Sequence, residues 1–145
     1  MRTISAQLEI EAPAEQVWDV LVDFDSYPEW NPFMTEVRGR PLRGATLHIS
    51  MRRPGGWRLR FRARVVAAQR PSLLAWQGRG WAWWPGLLRG ERWIAIQSLP
   101  GGRSRIEMRT TFTGLLSSLM VWLDRYLASF DEMEQALKRR VEGLR

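Results

Sequence analysis

The sequence predicts an α+β domain, in which a curved antiparallel sheet of six or seven strands wraps around a long C-terminal helix and two short helices follow the first strand. Three observations predict it. The N-terminal segment alternates between apolar and polar residues, the middle of the chain repeats that alternation between tight turns, and the C-terminal part follows a helical period. The 145 residues contain no linker or repeat, so we expect a single domain over 1–145.

The first strand and the two short helices come at the N-terminal end. Residues 4–10 (ISAQLEI) place an apolar side chain at every second position, as in a strand with one buried face. Pro13 suits the first turn of a helix because no backbone N–H is needed there, and an apolar helix face follows it. The segment FDSYPEWNPF (24–33) predicts a short helical turn broken by Pro28 and Pro32.

The rest of the sheet is predicted from five further alternating segments. They lie at 47–52, 57–65, 74–77, 92–97 and 105–112. Because the turns between them are as short as PGG (54–56) and PGG (100–102), neighbouring strands are expected to be antiparallel. Because of this alternation, the apolar side chains share one face of the sheet, and we expect that face to be directed toward the helix. These predicted inward-facing residues are Leu47, Ile49, Met51, Leu59, Phe61, Leu74, Trp76, Ile94, Ile96, Ile106, Met108 and Phe112.

The C-terminal segment predicts one long amphipathic helix from Gly114 to about Glu142. Its apolar residues recur at intervals of three and four, which is the spacing of a single helix face. This is the only predicted element large enough to cover the apolar face of the sheet. The stripe comprises Leu116, Leu119, Leu123, Leu127, Phe130, Met133, Leu137 and Val141.

Composition and charge limit the classes of function. The chain has no cysteine, which excludes disulfides and thiolate metal sites, and its net charge is +7. Residues 37–123 hold sixteen arginines against Glu91 and Glu107, a balance that indicates an anionic partner. The alternating N-terminus does not resemble a secretory signal, and the apolar stretch 115–123 is too short to span a bilayer. We therefore expect a cytoplasmic protein, with peripheral membrane association as an alternative.

A family resemblance is carried by the segment APAEQVWDVLVDFDSYPEWNPF (12–33) that follows the first strand. With the order of elements around it, this segment resembles the START-like superfamily, also called SRPBCC or helix-grip, and is most similar to its polyketide cyclase/dehydrase-like branch. Three later stretches, LAWQGRG (74–80), GERWIAI (90–96) and FTGLLSSL (112–119), also resemble the family, as does FDEMEQALKRRVE (130–142). The resemblance implies a helix-grip fold with a deep, largely apolar cavity between the sheet and the long helix.

A cavity of that kind would select its ligand by shape and desolvation, as for acyl chains, sterols, isoprenoids or polycyclic aromatic molecules. The alternative is that the same side chains fill the core, which is the usual fate of alternating apolar residues. The predicted ligand-binding residues are Met51, Leu59, Phe61, Trp76, Arg92, Ile94, Met108, Thr110, Phe112, Leu119, Leu123 and Tyr126.

Two polar residues, Arg92 and Thr110, fall on the inward register of this otherwise apolar face. An arginine facing a cavity can hold a carboxylate or phosphate through a two-pronged hydrogen bond. The alternative is that Arg92 lies close enough to a strand end to reach solvent along its aliphatic stem.

No catalytic group is predicted on the inward face. Cyclases and dehydratases need a group that transfers a proton, yet His48 falls on the outward register and the later strands place no carboxylate inward. No metal-ligand cluster, phosphate-binding loop or dinucleotide fingerprint occurs, so we expect no metal and no cofactor. The prediction is therefore non-catalytic binding or transport of a small hydrophobic ligand. A polyketide cyclase or dehydratase is the alternative, as is a module that docks on a membrane or protein.

Four arginines, Arg58, Arg60, Arg62 and Arg64, share the outer face of one predicted strand. They form either an electrostatic docking surface for an anionic partner or a solvated face partly paired across strands, as Glu9 and Glu11 would be with Arg105 and Arg109. Nucleic acid is not expected as the partner, because the neighbouring aromatic residues point inward instead of standing among the arginines.

The loop at 80–88 is unusual because it combines tryptophans with a Pro-Gly turn. The antiparallel order places it at the same end of the sheet as the turn at 53–56 and the junction at 113–116, where the resemblance implies the mouth of the cavity. Tryptophan, leucine and arginine together are typical of a contact with the membrane interface. The alternatives are a lid over the cavity and a longer hairpin. The predicted rim residues are Trp57, Trp81, Trp83, Trp84, Leu87, Leu88, Leu115 and Leu116.

Overall fold

The computed structural model describes residues 2–52, 58–79, 89–113 and 123–143. The chain begins with strand β1 (Arg2–Ile10), helix α1 (Ala14–Val22), a single 3₁₀ turn (Phe24–Ser26) and helix α2 (Tyr27–Trp30). Six strands follow: β2 (Met34–Arg38), β3 (Thr46–Arg52), β4 (Arg58–Gln69), β5 (Leu73–Arg79), β6 (Arg89–Leu99) and β7 (Arg103–Thr113). Helix α3 (Leu123–Glu142) ends the described chain.

The strands form one antiparallel seven-stranded sheet in the order β1-β7-β6-β5-β4-β3-β2. The predicted fold, a curved sheet around a C-terminal helix with short helices after the first strand, is confirmed. Strand β2 was not among the predicted segments, because it has five residues and its register with β3 shifts between Met34 and Glu36. Pro28 does not break the helical turn as expected; it sits in the first turn of α2, where a missing N–H costs nothing.

The alternation of polarity along the strands places one face inward and one outward, as predicted. On β3, Leu47, Ile49 and Met51 are at most 4% exposed, whereas His48 and Arg52 between and after them are exposed. The inward residues join the helices in one buried apolar cluster. A one-residue slip in register would exchange these two faces, so burial of the apolar set fixes the register.

Helix α3 packs the C-terminal half of its apolar stripe against this cluster. Met133, Leu137 and Val141 are completely buried, and the helix also contacts α1 and β1. The predicted start of the helix, at 114–122, lies outside the described residues.

The β6–β7 turn lies at one end of the sheet, and the strand ends Arg52, Arg79 and Thr113 lie at the other. At one end, Gly101 and Gly102 adopt positive φ angles of 83° and 72° between β6 and β7, which confirms the tight turn predicted there. At the other end lie Arg52, Arg79 and Thr113, the residues that lead into the segments outside the described part. None of the described helices is both long enough and apolar enough to cross a membrane.

Candidate functional site

The inner face of the sheet, opposite α3, is the candidate site. Of the predicted ligand-binding residues whose side chains are described, five are apolar and lie on this face. Met51, Trp76, Ile94 and Met108 are at most 4% exposed, and Phe61 is partly exposed. They come from five neighbouring strands, β3 to β7, because residues two apart on a strand share a face.

Arg92 is the charged residue of this inner face, and it is only 5% exposed. Its Nη2 lies 3.2 Å from the Sδ of Met133 and 3.5 Å from the Sδ of Met108. Its guanidinium carbon lies 5.9 Å from the ring centres of both Phe33 and Trp76, within the range of a cation–π contact. The alternative in which Arg92 extends into solvent is therefore wrong, because its guanidinium is enclosed by sulfur atoms and rings.

Thr110 completes a polar pair with Arg92. The two residues are direct partners in the β6–β7 register, and both point inward. The hydroxyl of Thr110 is buried and has no hydrogen-bond partner among the described residues. A hydroxyl both donates and accepts, so this pair offers a charged fork and a neutral donor side by side.

Beside this pair, the inner face has a row of very small residues. Gly78 on β5 pairs directly with Gly90 on β6 and, on its other side, with Ala63 on β4. A Cβ atom added to Gly78 would lie 3.6 Å from the ring of Phe61 and 3.5 Å from the carbonyl oxygen of Gly90, which are ordinary contact distances. The side chains of this row therefore extend only a short distance from the sheet, and the ring of Phe61 lies beside them.

The α1–α2 segment closes the site near Arg92 with buried aromatic residues. Tyr27 is fully buried; its hydroxyl donates to the carbonyl oxygen of Leu21 at 2.5 Å, and its ring meets Phe24 edge-on at 5.5 Å. Burial raises the pKa of Tyr27 above its ordinary 10.0, and the positive charge of Arg92 opposes part of that shift. Tyr27 is thus a neutral hydrogen-bond donor at physiological pH and cannot act as a base.

Tyr27→Phe should lower the free energy of unfolding by about 1–2 kcal/mol at neutral pH, because it deletes a buried hydrogen bond. Tyr27 ionises more readily in the unfolded chain, so its contribution is present below pH 10 and is lost as the pH rises further. The gap between wild type and variant should therefore narrow in urea titrations above that pH. Ser26→Ala, which removes an exposed hydrogen bond to Asp23, should cost less than about 0.5 kcal/mol. An equal loss in both variants, or a gap that is constant with pH, would contradict this assignment.

Asn31 turns the chain from α2 into β2. Its Oδ1 accepts the backbone N–H groups of Phe33 at 3.0 Å and Met34 at 2.8 Å, which fixes the two residues that reach Arg92 from this side. Asn31 of the family-like segment therefore has a structural role, because it positions two of the residues that surround Arg92.

Sequence reasoning missed Glu134, which is 5% exposed on α3. It directly follows Met133, whose sulfur touches Arg92. The signal was present, because position 134 lies three residues before Leu137 and seven before Val141 and so falls on the buried stripe. An acidic residue at such a position is a candidate for function.

A separate cleft of about 270 Å³ opens between α1, α2 and the end of α3. Its walls mix charged residues such as Asp19, Asp23 and Arg140 with the apolar Val20 and Trp30, so it does not match the apolar site predicted. Within 2–52, 58–79, 89–113 and 123–143, no three histidine, aspartate or glutamate side chains are grouped so as to hold a metal ion.

Several predicted site residues lie wholly or partly outside the described residues. The side chains of Leu59, Phe112, Leu123 and Tyr126 lie outside the described part of the structure, although their backbones belong to β4, β7 and α3. Leu119 lies outside it entirely. The same holds for the whole predicted rim, which comprises Trp57, Trp81, Trp83, Trp84, Leu87, Leu88, Leu115 and Leu116.

The fold and its buried inner face define a START-like protein, as the sequence predicted. Residues 1–142 match the family model described as polyketide cyclase / dehydrase and lipid transport, and the chain belongs to that family. No curated protein matches the chain by sequence.

Solved structures agree on the fold. A START superfamily protein from Mycobacterium smegmatis is 21% identical, with a TM-score of 0.77 over 99% of each chain. The di-domain ARO/CYC protein BexL of the BE-7585A biosynthetic pathway is 15% identical, with a TM-score of 0.72 over 97% of this chain and 50% of that one. Norcoclaurine synthase from Thalictrum flavum, in complex with dopamine and hydroxybenzaldehyde, is 14% identical, with a TM-score of 0.74 over 99% of this chain and 88% of that one. At these identities the likeness establishes the fold alone.

Proposed function

We propose that this protein binds and carries a small hydrophobic molecule between the inner face of the sheet and α3, without chemical conversion. The family supports this proposal, since its description includes lipid transport and the fold family binds small hydrophobic ligands. The inner face adds the chemistry such a ligand needs, because its described residues are mainly apolar over five strands and Arg92 and Thr110 lie side by side among them.

The observation that carries the proposal is the row formed by Ala63, Gly78 and Gly90. In a sheet that only packs against a helix, inward positions are filled by large apolar side chains to reach core density. Glycine in a strand interior weakens the strand and often marks close approach by a ligand or another backbone. Two paired glycines beside the ring of Phe61 are the place where an apolar guest would meet the sheet.

Arg92 and Thr110 would then hold the polar end of the guest, since they occupy the next inward row after the glycines. A guanidinium keeps its charge at every physiological pH and pairs best with a carboxylate or phosphate. The proposed ligand is therefore an amphiphile, with an apolar body over the glycine row and an anionic or strongly accepting group at Arg92.

Native mass spectrometry of freshly purified protein should detect a retained small molecule, which extraction would then identify. Gly78→Leu should reduce its occupancy, because a leucine side chain there would extend over the glycine row, while its Cβ meets only ordinary contacts. Gln97→Leu is the matched control, since it adds the same side chain at an exposed position on β6 and should leave occupancy unchanged.

Protein that is empty from every preparation, and that takes up no added oleate, would overturn the carrier proposal. Equal occupancy in Gly78→Leu and Gln97→Leu would instead overturn the glycine row as its location.

The second candidate is a cyclase or dehydratase, and the burial of Glu134 beside Met133 favours it, because such enzymes need a proton-transfer group. Mass spectrometry of the identified molecule, before and after incubation with the protein, separates the two functions. A carrier releases the molecule that it was given, whereas an enzyme releases a changed one.

A further inference from the structure

The outer face of β3 and β4 carries an unusual set of arginines. Arg58, Arg60, Arg62 and Arg64 alternate along β4, and Arg52 on β3 lies directly opposite Arg58. All five are exposed, and we call them the arginine surface. Alternate residues on a strand are about 7 Å apart, so the four on β4 form a line about 20 Å long.

These arginines make no ion pair with any described residue. The partners opposite Arg60, Arg62 and Arg64 on β3 are Ser50, His48 and Thr46. Two acids lie two strands from β4 in the sheet, and both have other partners: Glu36 pairs with Arg38 on β2, and Glu91 accepts a hydrogen bond from Trp93 on β6. The positive charge of the arginine surface is therefore not compensated within the described part of the chain.

The other half of the same outer face is built differently. Glu9 on β1 lies 2.5 Å from Arg103 and 3.2 Å from Arg105 of β7, and Glu107 lies 2.8 Å from Arg109. The hydrogen bond from Arg105 and the charge of Arg103 lower the pKa of Glu9. The expected pairing of Glu9 with Arg105 is thus confirmed, whereas Arg109 pairs within its own strand. The outer-face arginines of β7 are therefore paired with acids, whereas those of β3 and β4 pair with no described acid.

Accumulation of like charge has a cost for the fold. Arg52 and Arg58 face each other across a strand pair, an arrangement in which like charges destabilise a sheet. Neutral β-formers such as threonine would suit the same exposed positions without that repulsion. A feature that costs stability and gains no contact in the described structure points to a partner that supplies the opposite charge.

We propose that the arginine surface docks the protein on an anionic lipid membrane. The surface lies on the convex side of the curved sheet. A convex side is accessible to a flat membrane, but it cannot enclose a strand of nucleic acid. Among the described residues, the arginine surface contains no aromatic ring on which bases would stack, and the exposed Trp93 lies two strands away on β6. Clustered basic side chains alone suffice for attraction to anionic headgroups. This proposal does not rest on the carrier function, because the surface faces away from the inner site.

Co-sedimentation with vesicles containing about 30% phosphatidylserine in phosphatidylcholine should capture the wild-type protein at low salt, and pure phosphatidylcholine should not. The triple variant Arg58→Gln, Arg60→Gln, Arg62→Gln should bind the anionic vesicles about 100-fold more weakly, given the usual contribution of each basic residue near such a surface. The matched control is Arg103→Gln, Arg105→Gln, Arg109→Gln. It removes the same charge from the same face where each arginine is already paired, and it should change binding by less than about fivefold.

Equal losses in the two triple variants would overturn the proposal, because binding would then follow net charge and not this surface. So would a wild-type protein that fails to sediment with anionic vesicles. Tighter, arginine-dependent binding to a single-stranded RNA of mixed sequence than to vesicles would assign the surface to nucleic acid instead. Circular dichroism checks that each variant is folded, and the single variant Arg60→Glu repeats the test with one exposed substitution.

Discussion

Replacing Arg92 with methionine should weaken the binding of oleate by roughly 10- to 100-fold while leaving oleyl alcohol within about threefold of the wild-type value. The two probes differ only in the group at the end of the chain, so the contrast isolates the head group. Methionine suits the site because Arg92 already touches the sulfurs of Met34, Met108 and Met133, and a fourth thioether keeps the surroundings apolar. Titration calorimetry measures both affinities.

Two controls sharpen the result. Arg92→Lys keeps the charge but loses the two-pronged geometry, so it should fall between wild type and Arg92→Met. Arg62→Met removes the same charge from an exposed position on the outer face and should leave oleate binding unchanged. A loss that is equal for the acid and the alcohol would mean that the substitution merely closes the space. No loss for either probe would remove Arg92 from the site.

Leu137→Ala should lower the free energy of unfolding by about 3 kcal/mol, within the range for a fully buried leucine. Leu137 is 0% exposed and lies in the cluster that joins α3 to the sheet, so truncation leaves a cavity where the helix is held. A loss of that size is a large fraction of the stability of an ordinary domain. Guanidinium titration measures it.

Gln135→Ala is the matched control for this prediction, because it is an exposed residue of the same helix and should change stability by less than about 0.5 kcal/mol. A loss below about 1 kcal/mol for Leu137→Ala would contradict the prediction. It would show that neighbouring side chains fill the cavity left by the truncation, so that Leu137 contributes little to holding α3 against the sheet.

The inner and outer faces of the sheet were predictable because polarity alternates along β3 and along β4 as far as Val65, and burial of one face then fixes the register. Arg92 was placed on the inner register for the same reason. Its surroundings were not predictable, since Met34, Met108 and Met133 come from β2, β7 and α3 and meet only in the folded chain. No local sequence pattern predicts contacts between residues so far apart in the chain.

Other features were missed for identifiable reasons. Strand β2 is too short and too irregular to show a period, and it is held mainly by its register with β3. Glu134 was overlooked because an acidic residue on a helix is usually solvated, and only packing from several sides reveals its burial. The tryptophan-rich rim remains a prediction, as its residues lie outside the described part of the structure.

The pairing of β1 with β7 has a consequence for how the chain must be made. Arg2 to Ile10 find their hydrogen-bond partners at 104–112, so the N-terminal strand stays without its neighbour until the ribosome has released almost the whole domain. The hairpins from β2 to β7 join segments close in sequence and can assemble as they emerge. The sheet is therefore completed only when β7 emerges and pairs with β1, and a nascent chain stalled before β7 would present an unpaired strand to its neighbours in a polysome.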